Sequence, residues 1–268
     1  MEIRVLGCSG GIGDGRHTTS LLVDDDVLID AGSGVTQLSR AALARIDHLF
    51  ITHAHLDHVL ALPPMLDSVA AERDRALVVH ALPEVVEVLA GHLFNWQLWP
   101  DFTRIPTPEA PVMRYAPIAL GETVELGPRR ITAIPAHHTV PAAGYLLRGE
   151  KGSLIFSGDT DSHDALWEIA NATPDLQHLI VETSFPNGMQ DVAHASRHYC
   201  PRTLAPDLAR YEGKAQVWIT HLKPGGEAEI MQEILQAAPG RLAVAALSQG
   251  QVLTVHGPMA APADERRR

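Results

Sequence analysis

Composition and charge limit the classes of protein to which this chain can belong. Its 268 residues, of which 46% are hydrophobic, suffice for a substantial core, and neither a linker rich in Pro, Gly and Ser nor an internal repeat interrupts them. The 21 Lys and Arg against 32 Asp and Glu give a formal net charge of −11, which disfavours long nucleic acids as partners. We therefore predict one domain over residues 1–258, followed by a disordered tail at 259–268.

The cysteines and the hydropathy pattern indicate a cytoplasmic protein. Cys8 and Cys200 form no C-x-x-C pair and no disulfide is required, so a reducing compartment is the simpler interpretation. The residues from Met1 to Leu6 lead directly into a predicted strand, without the basic and apolar regions of a signal peptide. No apolar run approaches the roughly 20 residues that cross a membrane. We expect no membrane contact.

Hydrophobic runs in chain order predict a mixed α/β architecture. Short runs rich in β-branched residues predict strands at 3–6, 21–23, 27–29, 48–52, 77–80, 131–134, 154–156, 179–181, 217–220 and 242–245. Helical segments are predicted at 59–72, 83–93, 164–170, 201–211 and 227–238, and Pro83 and Pro201 suit the first turns of their helices. Strands come first and then alternate with helices, which favours an α/β sandwich containing both sheet types.

The strongest chemical signal follows the strand at 48–52. His53, His55, Asp57 and His58 place four potential metal ligands within six residues. Imidazole nitrogens and carboxylate oxygens are good zinc ligands, but one tetrahedral ion cannot readily take all four from so short a stretch. Two neighbouring ions can, with the first two histidines on one and the last two residues on the other. The alternative, a polar loop that merely contacts solvent, does not account for this density of ligands.

Three later strands also end in potential ligands. The strand at 131–134 leads to His137 and His138, the strand at 154–156 leads to Asp159, and the strand at 217–220 leads to His221. Open α/β sheets build their sites at the carboxyl ends of strands. Each residue alone is a weak signal, but together with the first cluster they predict a binuclear metal site.

These motifs resemble the metallo-β-lactamase superfamily. The resemblance is carried by His-x-His-x-Asp-His, by a later His, by Ser157-Gly158-Asp159-Thr160 and by Ile219-Thr220-His221. It implies an αββα four-layer sandwich that holds two divalent metal ions. By this resemblance one ion would be held by His53, His55 and His138. The other would be held by Asp57, His58 and His221, and Asp159 would bridge the two ions.

The choice between the neighbouring histidines rests on resemblance. The segment from His138 to Tyr145 is similar to the His-x6-Tyr segment of phosphodiesterase members, which favours His138, with His137 as the alternative. Zinc is the expected metal, and manganese and iron suit the same ligands.

Further blocks narrow the resemblance to the class II 3′,5′-cyclic-nucleotide phosphodiesterases. They are His55-Leu56-Asp57-His58, Leu62-Pro63, Phe-Asn-x-x-x-Trp-Pro-Asp at 94–101, Glu-Thr-Ser-Phe-Pro-Asn at 182–187 and Thr-His-Leu-Lys-Pro-Gly at 220–225. Together they cover most of the chain. The resemblance implies a cyclic nucleotide substrate, opened to a 5′-monophosphate, and a homodimer.

Two residues are predicted to act on protons. Paired metal ions ease proton loss from water and hold phosphate oxygens, and Asp57 would orient the attacking water. His198 resembles the general acid of the phosphodiesterase branch, although Tyr199-Cys200-Pro201 departs from the usual family tripeptide. His194 is the competing acid. Glu182 and Asp30, at two strand ends, are candidate partners of the ligand imidazoles.

The segment at 94–102 carries four of the chain's aromatic residues, and a wall of rings could stack a nucleobase. Phe94 and Trp99 are the predicted stacking residues and Asn95 a predicted hydrogen-bonding residue. The alternative is packing within the fold or across a dimer contact. The glycines at 10–15 precede another strand rather than a helix, so we predict a tight loop near the metals and not a dinucleotide-binding turn.

Three other functions compete with this prediction. A tRNA 3′-processing nuclease would share the ligands and the acid, but it usually carries a long Gly- and Pro-rich arm after the third-His segment, where this chain has only a hairpin turn at 149–152. A thioester or lactam hydrolase would not call for the Phe-Asn…Trp-Pro block. A non-catalytic nucleotide-binding module would be expected to lose metal ligands, and the set is complete.

Overall fold

The computed structural model describes residues 1–255 and contains fourteen strands, β1 to β14. In chain order they are Glu2–Gly7, Ser20–Val23, Val27–Ile29, His48–Phe50, Leu77–Ala81, Met113–Pro117, Thr123–Leu126, Arg129–Pro135, Ala143–Gly149, Gly152–Phe156, Leu176–Glu182, Gln216–Thr220, Val244–Ala246 and Val252–Thr254. The α-helices, α1 to α8, are Arg40–Leu43, Leu56–Val59, Leu62–Val69, Pro83–Val88, Asp164–Asn171, Gln190–Ser196, Pro201–Arg210 and Glu227–Ala237.

The strands form two seven-stranded mixed sheets. The first has the order β14-β1-β2-β3-β4-β5-β6, and the second has the order β13-β12-β11-β10-β9-β8-β7. In the first sheet the strands from β3 to β6 are parallel, and in the second the strands from β10 to β13 are parallel. Each sheet therefore brings parallel carboxyl ends to one edge, where side chains from different strands can meet.

The second sheet is buried on both faces. On β11, Ile180 packs in the core shared with the first sheet, whereas Leu179 and Val181 pack in a separate core with α5, α7 and α8. The alternation follows from the two-residue period of a strand. Because both faces are covered, the middle of the strand, Leu179–Val181, is continuously apolar, and this is the run from which the strand was predicted. Helices on the outside and two sheets within make the predicted αββα sandwich.

The predicted helix at 59–72 is interrupted in the structure. α2 ends at Val59 and α3 begins at Leu62, and the backbone N–H of Ala61 between them bonds the carbonyl of Ala31 at 2.9 Å. Pro63 and Pro64 follow in the first turn of α3, where a backbone N–H has no partner within the helix and its absence costs nothing. The same prolines could not continue a helix that began at residue 59, because they lack the N–H that bonds to the preceding turn.

The sequence patterns missed β6, β7, β9 and β14. β7 and β14 lie at sheet edges, and their residues are largely half-buried or exposed, so they lack the continuous apolar run that marked the inner strands. The predicted turn at 149–152 is present as the hairpin between β9 and β10. Within residues 1–255 no helix is long and apolar enough to cross a membrane. The predicted tail at 259–268 lies outside the described residues.

His80 on β5 makes stability depend on pH. Its ring stacks on Phe50 at 4.4 Å, and its Nε2 lies 3.1 Å from Nδ1 of His48. Burial, assisted by His48 and opposed by Glu122, lowers the pKa of His80 to about 4. The unfolded chain thus binds a proton that the folded chain does not, so this contribution to stability is complete above about pH 6.5 and is lost as the pH falls toward 4.

We expect His80→Leu to flatten the pH dependence of the free energy of unfolding between pH 7 and 5, by up to about 1 kcal/mol per pH unit. Urea denaturation at several pH values measures this slope. His92→Leu, at an exposed histidine, is the control and should retain the wild-type slope. An equal slope in the wild type and in His80→Leu would contradict the assignment.

Candidate metal centre

The predicted ligands converge where the two sheets present their strand ends. His53, His55, Asp57 and His58 lie on the loop after β4 and on α2. The other three follow β8, β10 and β12, all in the second sheet; they are His138, Asp159 and His221. The strands that precede these residues are largely buried or half-buried, so the position of each side chain is fixed by the packing of the sheet.

Three histidines form the first donor set. His55 Nδ1 lies 3.0 Å from His53 Nε2 and 3.2 Å from His138 Nε2. Tetrahedral zinc with bonds of about 2.0–2.1 Å to nitrogen separates its ligands by roughly 3.3 Å. The spacing fits one ion. Among the described residues, His137 contributes no atom to this set, and its backbone instead bonds Thr160 and Asp161.

Asp159 lies between the first donor set and a second one. Its Oδ2 is 3.4 Å from His58 Nε2, 3.3 Å from His221 Nε2 and 3.7 Å from His53 Nε2. Asp57 Oδ2 completes the second set at 3.2 Å from His221 Nε2. One carboxylate thus contacts histidines of both sets, which is the arrangement that a bridging ligand requires.

The donor atoms suit a divalent metal. His58 Nε2 is buried and has no hydrogen-bond partner within residues 1–255, a costly arrangement unless a ligand occupies its lone pair. Its Nδ1 lies 2.7 Å from Asp30 Oδ2 and donates to it. Burial alone would lower the pKa of His58, but Asp159 and Asp30 outweigh it and raise that pKa well above its ordinary value, so a metal ion would displace the proton from Nε2 and take its lone pair. His138 Nδ1 likewise donates to the Arg197 carbonyl at 3.0 Å. Partners of this kind fix the tautomer and orient the ring of a ligand histidine.

Two buried carboxylates organise the surroundings. Asp30 accepts hydrogen bonds from His58 and from the backbone N–H and hydroxyl of Thr52. Ser184 accepts from His221 Nδ1 at 2.8 Å and donates to Glu182 at 3.2 Å. Sequence reasoning named the two carboxylates but missed Thr52, Ser184 and the Arg197 carbonyl. Thr52 directly precedes the His53–His58 cluster and Ser184 lies within the block at 182–187, whereas the Arg197 carbonyl carried no sequence signal.

Burial sets the protonation of the ligand groups. It lowers the pKa of His138 to about 4, and together with the His58 charge it holds the pKa of His53 well below its ordinary value. Both rings are therefore neutral near pH 7, as metal binding requires. Burial alone would raise the pKa of Asp159, but the charges of His221 and His58 outweigh it and hold that pKa well below its usual range.

His198 stands beside the ligands without completing either donor set. Its ring lies 4.9 Å from that of His138 and 5.3 Å from that of His221. His198 Nδ1 is 2.7 Å from Glu182 Oε1, so its other nitrogen is free to face a substrate. The competing His194 is 86% exposed and lies 3.8 Å from Asp161 on the surface. The structure therefore places His198 and not His194 at the site.

Close backbone approaches explain two local features of the site. A Cβ on Gly10 would lie 2.5 Å from the His221 carbonyl oxygen, so the glycine loop can pack there only without a side chain. His221 itself has a φ of 61°, in the left-handed region, and its N–H bonds the Cys8 carbonyl at 2.8 Å. The predicted tight loop near the metals thus holds the last ligand in a strained conformation.

The aromatic segment at 94–102 makes other contacts than those predicted. Phe94 is 2% exposed and packs in the core, and Trp99 is half-buried against the same core. Asn95 uses its side chain within its own turn, accepting from the N–H groups of Gln97 and Leu98 and donating to the Gly91 carbonyl. These contacts bury the Phe94 ring and use the Asn95 amide oxygen and one of its two N–H groups within the fold.

Asp30→Asn is expected to weaken binding of the metal held by His58 by about 10- to 100-fold, because the amide cannot replace the charged acceptor at Nδ1. Asn tolerates the φ of 57° at this position, so the backbone should persist. Competition with a chromogenic chelator measures the affinity. Asp25→Asn, at a side chain that is 70% exposed, is the control. Unchanged affinity in Asp30→Asn would show that the pair does not orient the ligand.

Comparison with known proteins assigns the family. The sequence model of the Beta-lactamase superfamily domain matches residues 25–234. The chain belongs to this superfamily. The fold agrees, since the metallo-beta-lactamase fold protein YhfI from Bacillus subtilis superposes with a TM-score of 0.76, covering 94% of this chain and 99% of that one at 16% identity. A superfamily hydrolase of this fold is expected to bind divalent metal.

Two curated relatives carry different names. A Yersinia pestis protein named "Probable 3',5'-cyclic-nucleotide phosphodiesterase" is 28% identical, over 83% of this chain and 78% of its own length. A Haloarcula marismortui protein named Ribonuclease Z is 25% identical, over 91% of this chain and 94% of its own. Both names denote enzymes that cleave a phosphodiester, and they differ in the substrate.

Proposed function

We propose that this superfamily member hydrolyses 3′,5′-cyclic nucleotides to 5′-monophosphates with two divalent metal ions. The observation that carries the proposal is the position of His198, held by Glu182 beside two donor sets, with Asp159 within 3.7 Å of histidines of both. The three-histidine set would hold one ion, and Asp57, His58 and His221 would hold the other. Zinc is the proposed metal, and manganese or iron would suit the same atoms.

The metal ions would supply Lewis acidity that polarises the phosphate and lowers the pKa of a water bound to them. The residues of the chain do the rest. Asp57, with a side chain 30% exposed, presents a carboxylate at the mouth of the site, and its Oδ2 lies 3.2 Å from His221 Nε2, a second ligand atom of the same set. We assign to Asp57 the role of orienting the attacking water. Attack forms a new P–O bond opposite the ester bond that breaks.

The leaving ribose oxygen needs a proton when the 3′ ester bond breaks. His198 can give it from the nitrogen that does not face Glu182, because Glu182 stabilises the ring through Nδ1. Burial lowers the pKa of His198, and burial with the Asp159 charge raises the pKa of Glu182, so both shifts favour the uncharged form of each group. After transfer, solvent returns a proton to the imidazole.

A small cyclic substrate is favoured over tRNA by the hairpin between β9 and β10. Gly149 pairs directly with Gly152, so the segment after the third-His strand holds only a two-residue turn where a tRNA-gripping arm would be inserted. The net charge of −11 adds to this argument, since polyanion binding depends on basic groups. The ribonuclease Z relative keeps tRNA 3′-processing as the second candidate. The homodimer stays a prediction.

Incubation of metal-loaded protein with 3′,5′-cyclic AMP and cyclic GMP, with chromatography of the products, tests the proposal. We expect the 5′-monophosphates to appear. Precursor tRNA and bis-p-nitrophenyl phosphate are run in parallel. Cleavage of the tRNA alone would favour the second candidate, and hydrolysis of only the nitrophenyl ester would retain the metal centre but exclude both substrates.

A further inference from the structure

A groove of about 450 Å³ opens beside the candidate metal centre. Ala54 and His55 line it on one side, and His55 also belongs to the three-histidine donor set. A substrate whose phosphate reaches the metal centre can therefore extend directly into the groove. The volume lies within the range of about 300–1,000 Å³ that is typical of small-molecule sites.

The groove has apolar walls that suit a planar ring. Val85 and Val88 of α4 line it together with Val140 and Pro141, which follow His138 in the chain. Apolar side chains facing each other across a cleft can sandwich a nucleobase through dispersion and burial of its faces. Val140 and Pro141 thus belong to the segment that carries His138, whereas Val85 and Val88 come from a helix without candidate ligands.

Two carboxylates give the groove a defined polarity. Glu84 and Glu87 line it from α4, next to the apolar wall. Their charge disfavours a phosphate beside them, which leaves the phosphate to the metal centre, and it favours a group with N–H donors. A polynucleotide chain running through the groove would meet the same repulsion. His92 is the other polar side chain of α4 and the turn after it that lines the groove.

We propose that this groove is the nucleobase subsite and that Glu84 and Glu87 make it favour guanine over adenine. The inference rests on the proposed function, because it takes the metal centre as the phosphate site. The Watson–Crick edge of guanine offers two adjacent donors, N1–H and the exocyclic amine, which match the two oxygens of a carboxylate. The same edge of adenine offers one amine beside an acceptor nitrogen, which a carboxylate repels.

The double variant Glu84→Gln, Glu87→Gln tests the proposal through the ratio of kcat/KM for cyclic GMP to that for cyclic AMP. We expect a wild-type ratio of about ten, as for one additional charge-assisted hydrogen bond, and a ratio near one in the variant. The control with the same loss of charge is Glu168→Gln, Glu229→Gln, on exposed faces of α5 and α8, which should keep the wild-type ratio. A preference for adenine, or a ratio that the groove variant leaves unchanged, overturns the inference.

Calorimetric binding of 5′-GMP and 5′-AMP separates failure of this inference from failure of the proposed function. If neither cyclic nucleotide is hydrolysed while bis-p-nitrophenyl phosphate is, the proposed function falls. The groove inference then stands only if wild-type protein binds 5′-GMP more tightly than 5′-AMP and the groove variant loses that difference. Equal affinities in the wild type would overturn it.

Discussion

Replacing Asp159 by alanine is expected to remove most of the bound metal and to reduce phosphodiester hydrolysis by roughly a thousandfold, or about 4 kcal/mol of transition-state stabilisation. Asp159 Oδ2 lies within 3.7 Å of histidine nitrogens from both donor sets. Its loss should therefore weaken both ions, and not one of them.

Metal content, measured by inductively coupled plasma mass spectrometry after gel filtration, should fall well below two ions per chain. Asp159→Asn, which keeps the shape but not the charge, should show the same direction of change and guards against misfolding of the alanine variant. Asp14→Asn, at a side chain that is 93% exposed, is the control. Full metal content in Asp159→Ala would exclude the bridging role.

Replacing His198 by alanine should leave the metal in place and lower turnover of a cyclic nucleotide by about 10²- to 10⁴-fold. The ribose oxygen is a poor leaving group that needs a proton, whereas p-nitrophenolate leaves without one. Hydrolysis of bis-p-nitrophenyl phosphate should therefore fall less than tenfold, as expected when general acid assistance is not needed. The ratio of the two losses distinguishes an acid from a residue that only supports the site.

His194→Ala provides the matched control, since His194 lies four residues away on an exposed face. It should retain wild-type turnover of both substrates. An equal loss on both esters in His198→Ala would indicate a structural role. Loss of metal would mean that His198 serves as a ligand, which its position near His138 and Asp159 also allows.

The sequence alone determined the chemical inventory of this protein. The density of ligands from His53 to His58, and the recurrence of His or Asp after apolar strands, are local patterns that survive without any tertiary information. The buried strands could also be predicted from the sequence, because a sheet covered on both faces requires continuous apolar runs. The family assignment agrees with the motif resemblance.

Only the tertiary structure decided which of several similar residues face the site. Adjacent residues after a strand point in different directions, so His138 reaches His55 while the backbone of His137 bonds Thr160. His198 is selected over His194 by its contact with Glu182, sixteen residues away in the chain.

The aromatic segment and the groove show the same limit of sequence reasoning. Phe94 and Asn95 carried a motif-based prediction of substrate binding, but burial of the ring and the turn bonds of the amide were set by packing. The groove beside His55 joins α4 to a loop more than fifty residues later, at Val140. A surface assembled from segments so far apart has no period or spacing in the sequence, because it exists only once both sheets are packed.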